Sequence, residues 1–169
     1  SGHHSGRLTL PYVFAGGVAI QLLQTIGVEI AAHVLEIGGL SDLPINSLNP
    51  DIAALRRCHS LPVPTLDAAA GERMYAAILA ANQAGDSLGG VVEAVAVGTP
   101  AGLGSPYFEG VEAVTAGHLF SIPAVKGVEF GAGFAAARMR GSAYNDPYAM
   151  EGGAVKTTRN SAGGLVGGL

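Results

Sequence analysis

The chain has 169 residues, 49% of them hydrophobic and 13% charged, with a formal net charge of −4 at pH 7. That charge excludes nucleic-acid binding driven by phosphate neutralisation, a lone Cys58 excludes an internal disulfide, and the length suits one domain with a sizeable core. With 26 glycines and no Trp, the core must be built from closely packed Ala, Val, Ile and Leu, with part of the apolar surface covered by something else.

Pro11 opens a helix to Thr25 that is apolar on most sides (Val13, Phe14, Val18, Ile20, Leu22, Leu23), with Gly27 as its stop. Gly16 and Gly17 within it cost roughly 1 kcal/mol each relative to Ala, tolerable where another backbone packs closely. Val28 to Ile37 alternates as a strand and ends at Gly38-Gly39. Asn49 or Asp51 caps a short helix through Arg57. Asp67 to Ala84 is a stronger helix with a stripe of Met74, Ala77, Ile78 and Ala81, stopped by Gly85, and Gly90 to Val97 is the cleanest strand. Phe108 to Phe120 reads as helix, Val125 to Phe130 as a short strand, Phe134 to Arg140 as helix, 141–154 as a polar loop and Ala154 to Thr158 as a strand. No repeat or linker divides the chain, so residues 1–169 read as a single domain, α+β in two or more layers. The apolar runs fall short of a membrane span and residues 1–20 show no leader pattern. The expectation is a reducing, cytoplasmic setting with no membrane and no nucleic-acid partner.

Charge is unevenly spread. Up to Val125 there are four basic residues against ten acidic ones; from Lys126 onward Lys126, Arg138, Arg140, Lys156 and Arg159 face only Glu129, Asp146 and Glu151. A basic C-terminal third suits an anionic small molecule or, equally, a solvated face.

Several glycine-rich blocks stand out. Gly2-His3-His4-Ser5-Gly6-Arg7 precedes a helix, where backbone donors and the Ser5 hydroxyl suit a phosphate, or form an N-capping loop with two exposed histidines. Adjacent histidines do not share a helical face, so no metal site is expected. Asp86-Ser87-Leu88-Gly89-Gly90 and Gly102-Leu103-Gly104-Ser105-Pro106 serve as turns. Ser121-Ile122-Pro123-Ala124-Val125-Lys126-Gly127 joins a helix to a strand, and Gly163-Gly164-Leu165-Val166-Gly167-Gly168 fits a strand hugged by another backbone. His33, His118, His59 and Cys58 read as structural residues, because nothing nearby completes a nucleophile–base–orienter set.

Taken together and in this order, these blocks resemble the middle of chorismate synthase, a family whose chains are roughly twice this long, and the whole sequence looks like an internal piece of such an enzyme. The resemblance implies a β-α-β sandwich with helices packed between antiparallel sheets, partial here, and an oligomeric protein. It implies a phosphate lyase that converts 5-enolpyruvylshikimate 3-phosphate to chorismate and phosphate in aromatic amino-acid biosynthesis. The cofactor is reduced FMN, with NADPH as a candidate reductant. Matched position by position, it places His3, His4, Ser5, Pro123, Ala124 and Gly167 against the flavin. His3 and His4 depart from the Arg and Ser of many relatives, so Ser5 is the firmest transfer of that triplet. Gly167 is where only a missing side chain permits the flavin's approach. The family's arginine-rich N-terminal region, its two proton-handling histidines and its Lys-Pro-Thr segment have no counterpart here, so no catalytic residue is assigned and the chain alone is expected to be inactive. The alternative is a stand-alone, non-catalytic module of the same fold that self-associates or binds a ligand.

Overall fold

The structure, a computed structural model, describes residues 2, 5–105 and 107–167. Its elements are α1 (Leu10–Thr25), β1 (Glu29–Ile37), β2 (Leu40–Ser41), α2 (Ile52–Cys58), α3 (Ala68–Gln83), β3 (Gly90–Val97), α4 (Val111–Phe120), α5 (Gly141–Tyr144), β4 (Tyr148–Glu151) and β5 (Ala154–Thr157), with 3-10 turns at Gly6–Thr9 and Gly133–Arg138. The fold is α+β, and every strand pair is antiparallel. The chain divides into two compact units, Ile26–Gly98 and the segments on either side of it.

In the unit Ile26–Gly98 the strands run β2-β1-β3. Gly38 and Gly39, at φ 58° and 82°, form the two-residue hairpin turn that returns β1 into β2. β3 pairs with β1 from Glu29↔Val97 to Ile37↔Gly90, with a bulge between Val34 and Glu36. Asp51 accepts from the Ala54 amide and Asp67 from the Ala69 amide, so both short acidic side chains start helices by satisfying amides that no helical carbonyl reaches. This settles the choice between Asn49 and Asp51. A Cβ on Gly71 would meet the Thr65 hydroxyl and the Val63 carbonyl, so α3 lies directly on segment 63–65, and Ala70, Gly71 and Met74 are its buried residues. Ile78, expected in that stripe, is 36% exposed at its edge.

The alternation in β1 buries the face carrying Ala31 and His33, against which α2 packs. The more apolar-looking face is not the covered one: Ile30 on β1 and Val92 on β3 stay exposed.

His33 holds this unit together. Its Nδ1 lies 3.0 Å from Asp42 Oδ2 and its Nε2 lies 3.0 Å from Glu93 Oε2, an arrangement the doubly protonated ring satisfies by donating on both sides. Asp42 also accepts the amides of Leu66 (2.5 Å) and Asp67 (2.9 Å), and Glu93 accepts the amide of Ile45 (2.8 Å). The His33 and Asp42 side chains are fully buried. Their desolvation is tolerable because every polar atom is paired. Burial alone would raise the Asp42 carboxyl; the amides of Asp67, Leu66 and Leu43, with the His33 ring, outweigh it and hold the group below the ordinary carboxylate range.

The flanking unit is far less buried. α1 has no buried residue, and Leu10 and Phe14 are 72% and 75% exposed. A Cβ on Gly16 or Gly17 would meet nothing within 4 Å, so the close backbone packing expected there is not supplied by the described residues. With the preceding 3-10 turn, Gly6–Thr25 forms 20 helical residues of mean hydropathy 1.2, enough by length and composition to cross a membrane. A helix buried between protein layers has the same length and composition, so this run by itself marks no membrane span.

Helix α4 begins at Val111 and not Phe108, because Ser105 and Glu109 exchange backbone hydrogen bonds of 2.9 and 3.1 Å and hold Phe108 outside the helix. The strand expected over Val125–Phe130 does not form. The Val125 amide turns back to the Ile122 carbonyl (3.3 Å), and no strand is assigned to residues 125–130. The helix expected at Phe134–Arg140 is a 3-10 turn. The supposed loop 141–154 contains α5 and β4, and Gly152 and Gly153 at φ 59° and 82° turn β4 into β5. The Lys156 and Glu151 side chains pair across that hairpin at 3.0 Å.

An asparagine offers one acceptor oxygen, so either the Asp67 amide or the His33 ring with the Leu66 amide would face its NH2 group. Asp42→Asn, which also removes the charge beside His33, should destabilise the protein by about 3 kcal/mol in urea unfolding near neutral pH. Because the folded carboxyl is depressed, its contribution is complete above the unfolded value and is lost as pH falls through the folded one. Acidification should therefore weaken the wild type more than the variant. A variant within about 0.5 kcal/mol of wild type, with an identical acid profile, would contradict this account.

Candidate functional site

The described candidate residues, Ser5, Pro123, Ala124 and Gly167, all belong to the flanking unit. His3 and His4 lie outside the described residues. Ser5 caps the 3-10 turn Gly6–Thr9 that leads into α1, its Oγ accepting from the Arg7 amide at a long 3.4 Å. Pro123 and Ala124 follow α4, which closes with the Ser121 hydroxyl donating to the His118 carbonyl at 2.5 Å. Ala124 has φ 71° and is the one non-glycine among the described residues at positive φ. That left-handed conformation costs an alanine about 1 kcal/mol, and such strain collects where a backbone must be held in a particular orientation. Pro123 and Ala124 are both exposed, so their carbonyls and the Ala124 N–H are accessible.

Gly167 has φ 69°, and a Cβ there would meet nothing within 4 Å. Among the described residues, none approaches the side where a side chain would point. A flat ring could approach this backbone, and a substituent would project toward it.

Backbone contact links the two segments. A Cβ on Gly131 would collide with the Ser161 carbonyl, Ala162 and the Gly163 amide; one on Gly163 would collide with Gly131. The Ala132 amide donates to the Ser161 carbonyl at 2.7 Å. The stretch following Pro123-Ala124 is thereby seated on the turn that leads to Gly167. Ser5 shares no hydrogen bond with either segment among the described residues.

Two residues of this arrangement escaped the sequence reading. Asp146 accepts the amides of Ser161 (2.7 Å) and Ala162 (2.8 Å), and Arg159 donates to the carbonyls of Ala143 (2.7 Å) and Ser142 (3.1 Å). The available signal was weak: an Asn-Asp-Pro turn inside what looked like a polar loop. Lys126, Arg138 and Arg140 are exposed and form no salt bridge among the described residues, which leaves their charge available to an anion.

Two other reactive side chains are occupied. His59 Nε2 sits 2.9 Å from the Ala32 carbonyl, and the Cys58 thiol donates to the Leu55 carbonyl at 3.0 Å. Burial, with the Asp42 charge adding to it, pushes that thiol up and away from nucleophilic use. A groove of about 560 Å³ lies elsewhere, between the C-terminal end of α3 (Ile78, Ala81) and the sheet residues Val34 and Val92. Its ionisable lining groups are Glu36 and Asp86, so it repels a phosphate-bearing ligand.

The Ala124 geometry yields a prediction. Ala124→Gly should stabilise the chain by about 0.5 kcal/mol, and Ala124→Val should destabilise it by at least about 1 kcal/mol, because only glycine is at ease at this φ. Equal midpoints for both variants in urea unfolding would mean that Ala124 is not strained.

Comparison with known proteins gives one consistent relationship. The family model described as chorismate synthase matches residues 1–169. A chorismate synthase of Methanosarcina acetivorans is 45% identical over 168 residues, covering 99% of this chain and 45% of its own length. One of Korarchaeum cryptofilum is 46% identical over 168 residues with the same coverage. A solved structure, "Crystal Structure of Chorismate Synthase", superposes with a TM-score of 0.89 at 30% identity, covering 98% of this chain and 52% of that one. The chain spans about half the length of the relatives it matches.

Proposed function

The chain belongs to the chorismate synthase family, and from that premise we propose that it forms one wall of a flavin site at which phosphate is eliminated from 5-enolpyruvylshikimate 3-phosphate to give chorismate. The observation that carries this reading is local. The one non-glycine held at positive φ, Ala124, is one of the residues the family resemblance sets against the flavin, and backbone packing joins its segment to the turn carrying the open Gly167.

The residues fit reduced FMN. Accessible backbone at Pro123-Ala124 and empty space at Gly167 suit the edge and face of a planar ring system, and Ser5 offers a hydroxyl toward its polar portion. When bound, reduced flavin supplies electron density that assists loss of the phosphate. This chain's own part is orientation and charge. Lys126, Arg138 and Arg140 are among the exposed cations that could face a phosphate-bearing substrate, and the Ala124 N–H is a backbone donor on the same wall. Among the described residues of this unit no side chain is arranged as an acid or base, and on this reading proton handling falls to other segments of the longer relatives. NADPH, if it is the reductant, acts on the flavin and has no assigned site here.

The layered β-α-β sandwich and the single domain are also proposals. Supporting them, α1 is apolar and uncovered, and so are Ile30 and Val92 on one sheet face, as expected of surfaces that meet further layers. On this reading α1 is an interior helix and the protein is cytoplasmic. The same surfaces should make the 169-residue chain self-associate. Light scattering at high protein concentration should reveal dimers or larger species; a clean monomer would contradict the expectation.

The function is tested by a chimera in which this chain replaces the matched 168 residues of the Methanosarcina acetivorans relative. The chimera should bind FMN and form chorismate anaerobically with reduced FMN, whereas the 169-residue chain alone should show no turnover. Absence of a positioned acid or base by itself costs about 10²–10⁴ in rate. Gly167→Val, which also strains the backbone at φ 69°, should abolish FMN binding in a chimera that still folds. Gly167→Asn, a residue that tolerates this φ, should weaken FMN binding with little change in thermal stability. A folded, unsubstituted chimera without FMN affinity, or robust turnover by the isolated chain, would overturn the assignment of roles.

A further inference from the structure

Resting on that reading of Ala124 and Gly167, we infer that Asp146 is a positioning residue for the flavin wall: its carboxylate sets the 160–167 turn against the 131–133 turn and thereby fixes where the Gly167 backbone lies relative to Ala124.

Asp146 lies between α5 and β4, far in sequence from both segments it would govern. It is half-buried, and its two oxygens divide the work, Oδ1 taking the Ser161 amide at 2.7 Å and Oδ2 the Ala162 amide at 2.8 Å. Both bonds are short and charge-assisted, the stronger class of hydrogen bond. Burial alone would raise this carboxyl, but the Ala162 and Ser161 amides, helped by the Arg159 charge, hold it below the ordinary carboxylate range. It therefore stays ionised and acceptor-only at neutral pH.

The contact on the other side of the turn has no slack. The Ser161 carbonyl accepts the Ala132 amide at 2.7 Å, and Gly131 and Gly163 meet so closely that neither could carry a Cβ. Close-packed backbone of this kind transmits a displacement and does not absorb it. Arg159 pins the near end of the turn to α5 through the Ala143 and Ser142 carbonyls. If Asp146 released its two amides, the turn would move as a piece and shift Gly163-Gly164-Leu165-Val166-Gly167. An asparagine cannot replace the carboxylate. Its amide offers one acceptor oxygen, so one of the two N–H groups would face another N–H.

The test uses the chimera described above, with Asp146→Asn as the principal variant, Arg159→Met as a second and Glu151→Gln as a control on the exposed hairpin. Three quantities are read: the dissociation constant for oxidised FMN by flavin fluorescence, backbone amide exchange of the 160–167 segment, and exchange of β1 and β3. Asp146→Asn should raise the FMN dissociation constant about tenfold, the loss expected of one charge-assisted hydrogen bond. It should also accelerate exchange in 160–167 and leave β1 and β3 unchanged. Arg159→Met should act in the same direction to a smaller extent, and it decides the matter if Asp146→Asn does not fold. Glu151→Gln should change nothing. Unaltered FMN affinity in the folded Asp146→Asn chimera, or in Arg159→Met if that is the variant that folds, would overturn the proposal and leave the flavin reading standing. A folded, unsubstituted chimera that binds no FMN would overturn that reading and this inference with it.

Discussion

Gly131 and Gly163 bring two stretches of backbone together more closely than any side chain allows, and the geometry of the candidate flavin wall depends on that contact. The segment after Pro123-Ala124 makes no strand, so sheet hydrogen bonding cannot hold it in place. It is held by the Ala132–Ser161 hydrogen bond and by the absence of two Cβ atoms. The same device recurs in the other unit, where a Cβ on Gly98 would strike the Gly27 carbonyl. A chain so rich in glycine gives up conformational entropy on folding and obtains in exchange contacts that only backbone can make.

The two units use charge differently. In Ile26–Gly98 a buried ring stands between two carboxylates, and those carboxylates also satisfy three amides from two loops. Such a group adds little net stability over a well-packed apolar equivalent, but removing one partner is expensive, so it specifies one arrangement of β1, β3 and the 42–45 segment. Around Asp146 the carboxylate serves a turn in a half-exposed setting. In both places a short acidic side chain terminates backbone donors that no regular element would satisfy.

Much of the architecture was legible because local chemistry and tertiary structure agreed. Asp67 before an Ala-rich run, Gly85 after it and the valine alternation of 90–97 each name one element and receive it. Errors arose where a local turn or a distant partner overrode the composition. Val125–Phe130 has strand composition, yet Val125 turns back to Ile122, so a local turn overrode the alternation. Loop 141–154 hides a hairpin whose Gly152-Gly153 signal was present but whose first strand, Tyr148–Glu151, is only four residues long and shows no alternation. The buried face of β1 is the one bearing His33, because Asp42 and Glu93, far apart in sequence, compensate the imidazole. At the site, composition alone pointed to turns, and only the family resemblance singled out Ser5, Pro123, Ala124 and Gly167. Asp146 was invisible because its role exists only once the chain has folded back on Ser161 and Ala162.

The exposed apolar surface of α1 and the uncovered Ile30 and Val92 are what a stretch matching about half the length of its relatives should show if those surfaces meet further layers of an enzyme. The account's central claim is positional: the flavin lies on the wall formed by the Ala124 and Gly167 backbones. A crystal structure of the chimera with FMN tests it most directly. The account expects the isoalloxazine at van der Waals distance, about 3.5–4 Å, from the Gly167 Cα, with the Ala124 backbone along the same wall. A flavin seated in the groove between α3 and the β1–β3 sheet, or anywhere remote from Gly167, would contradict it.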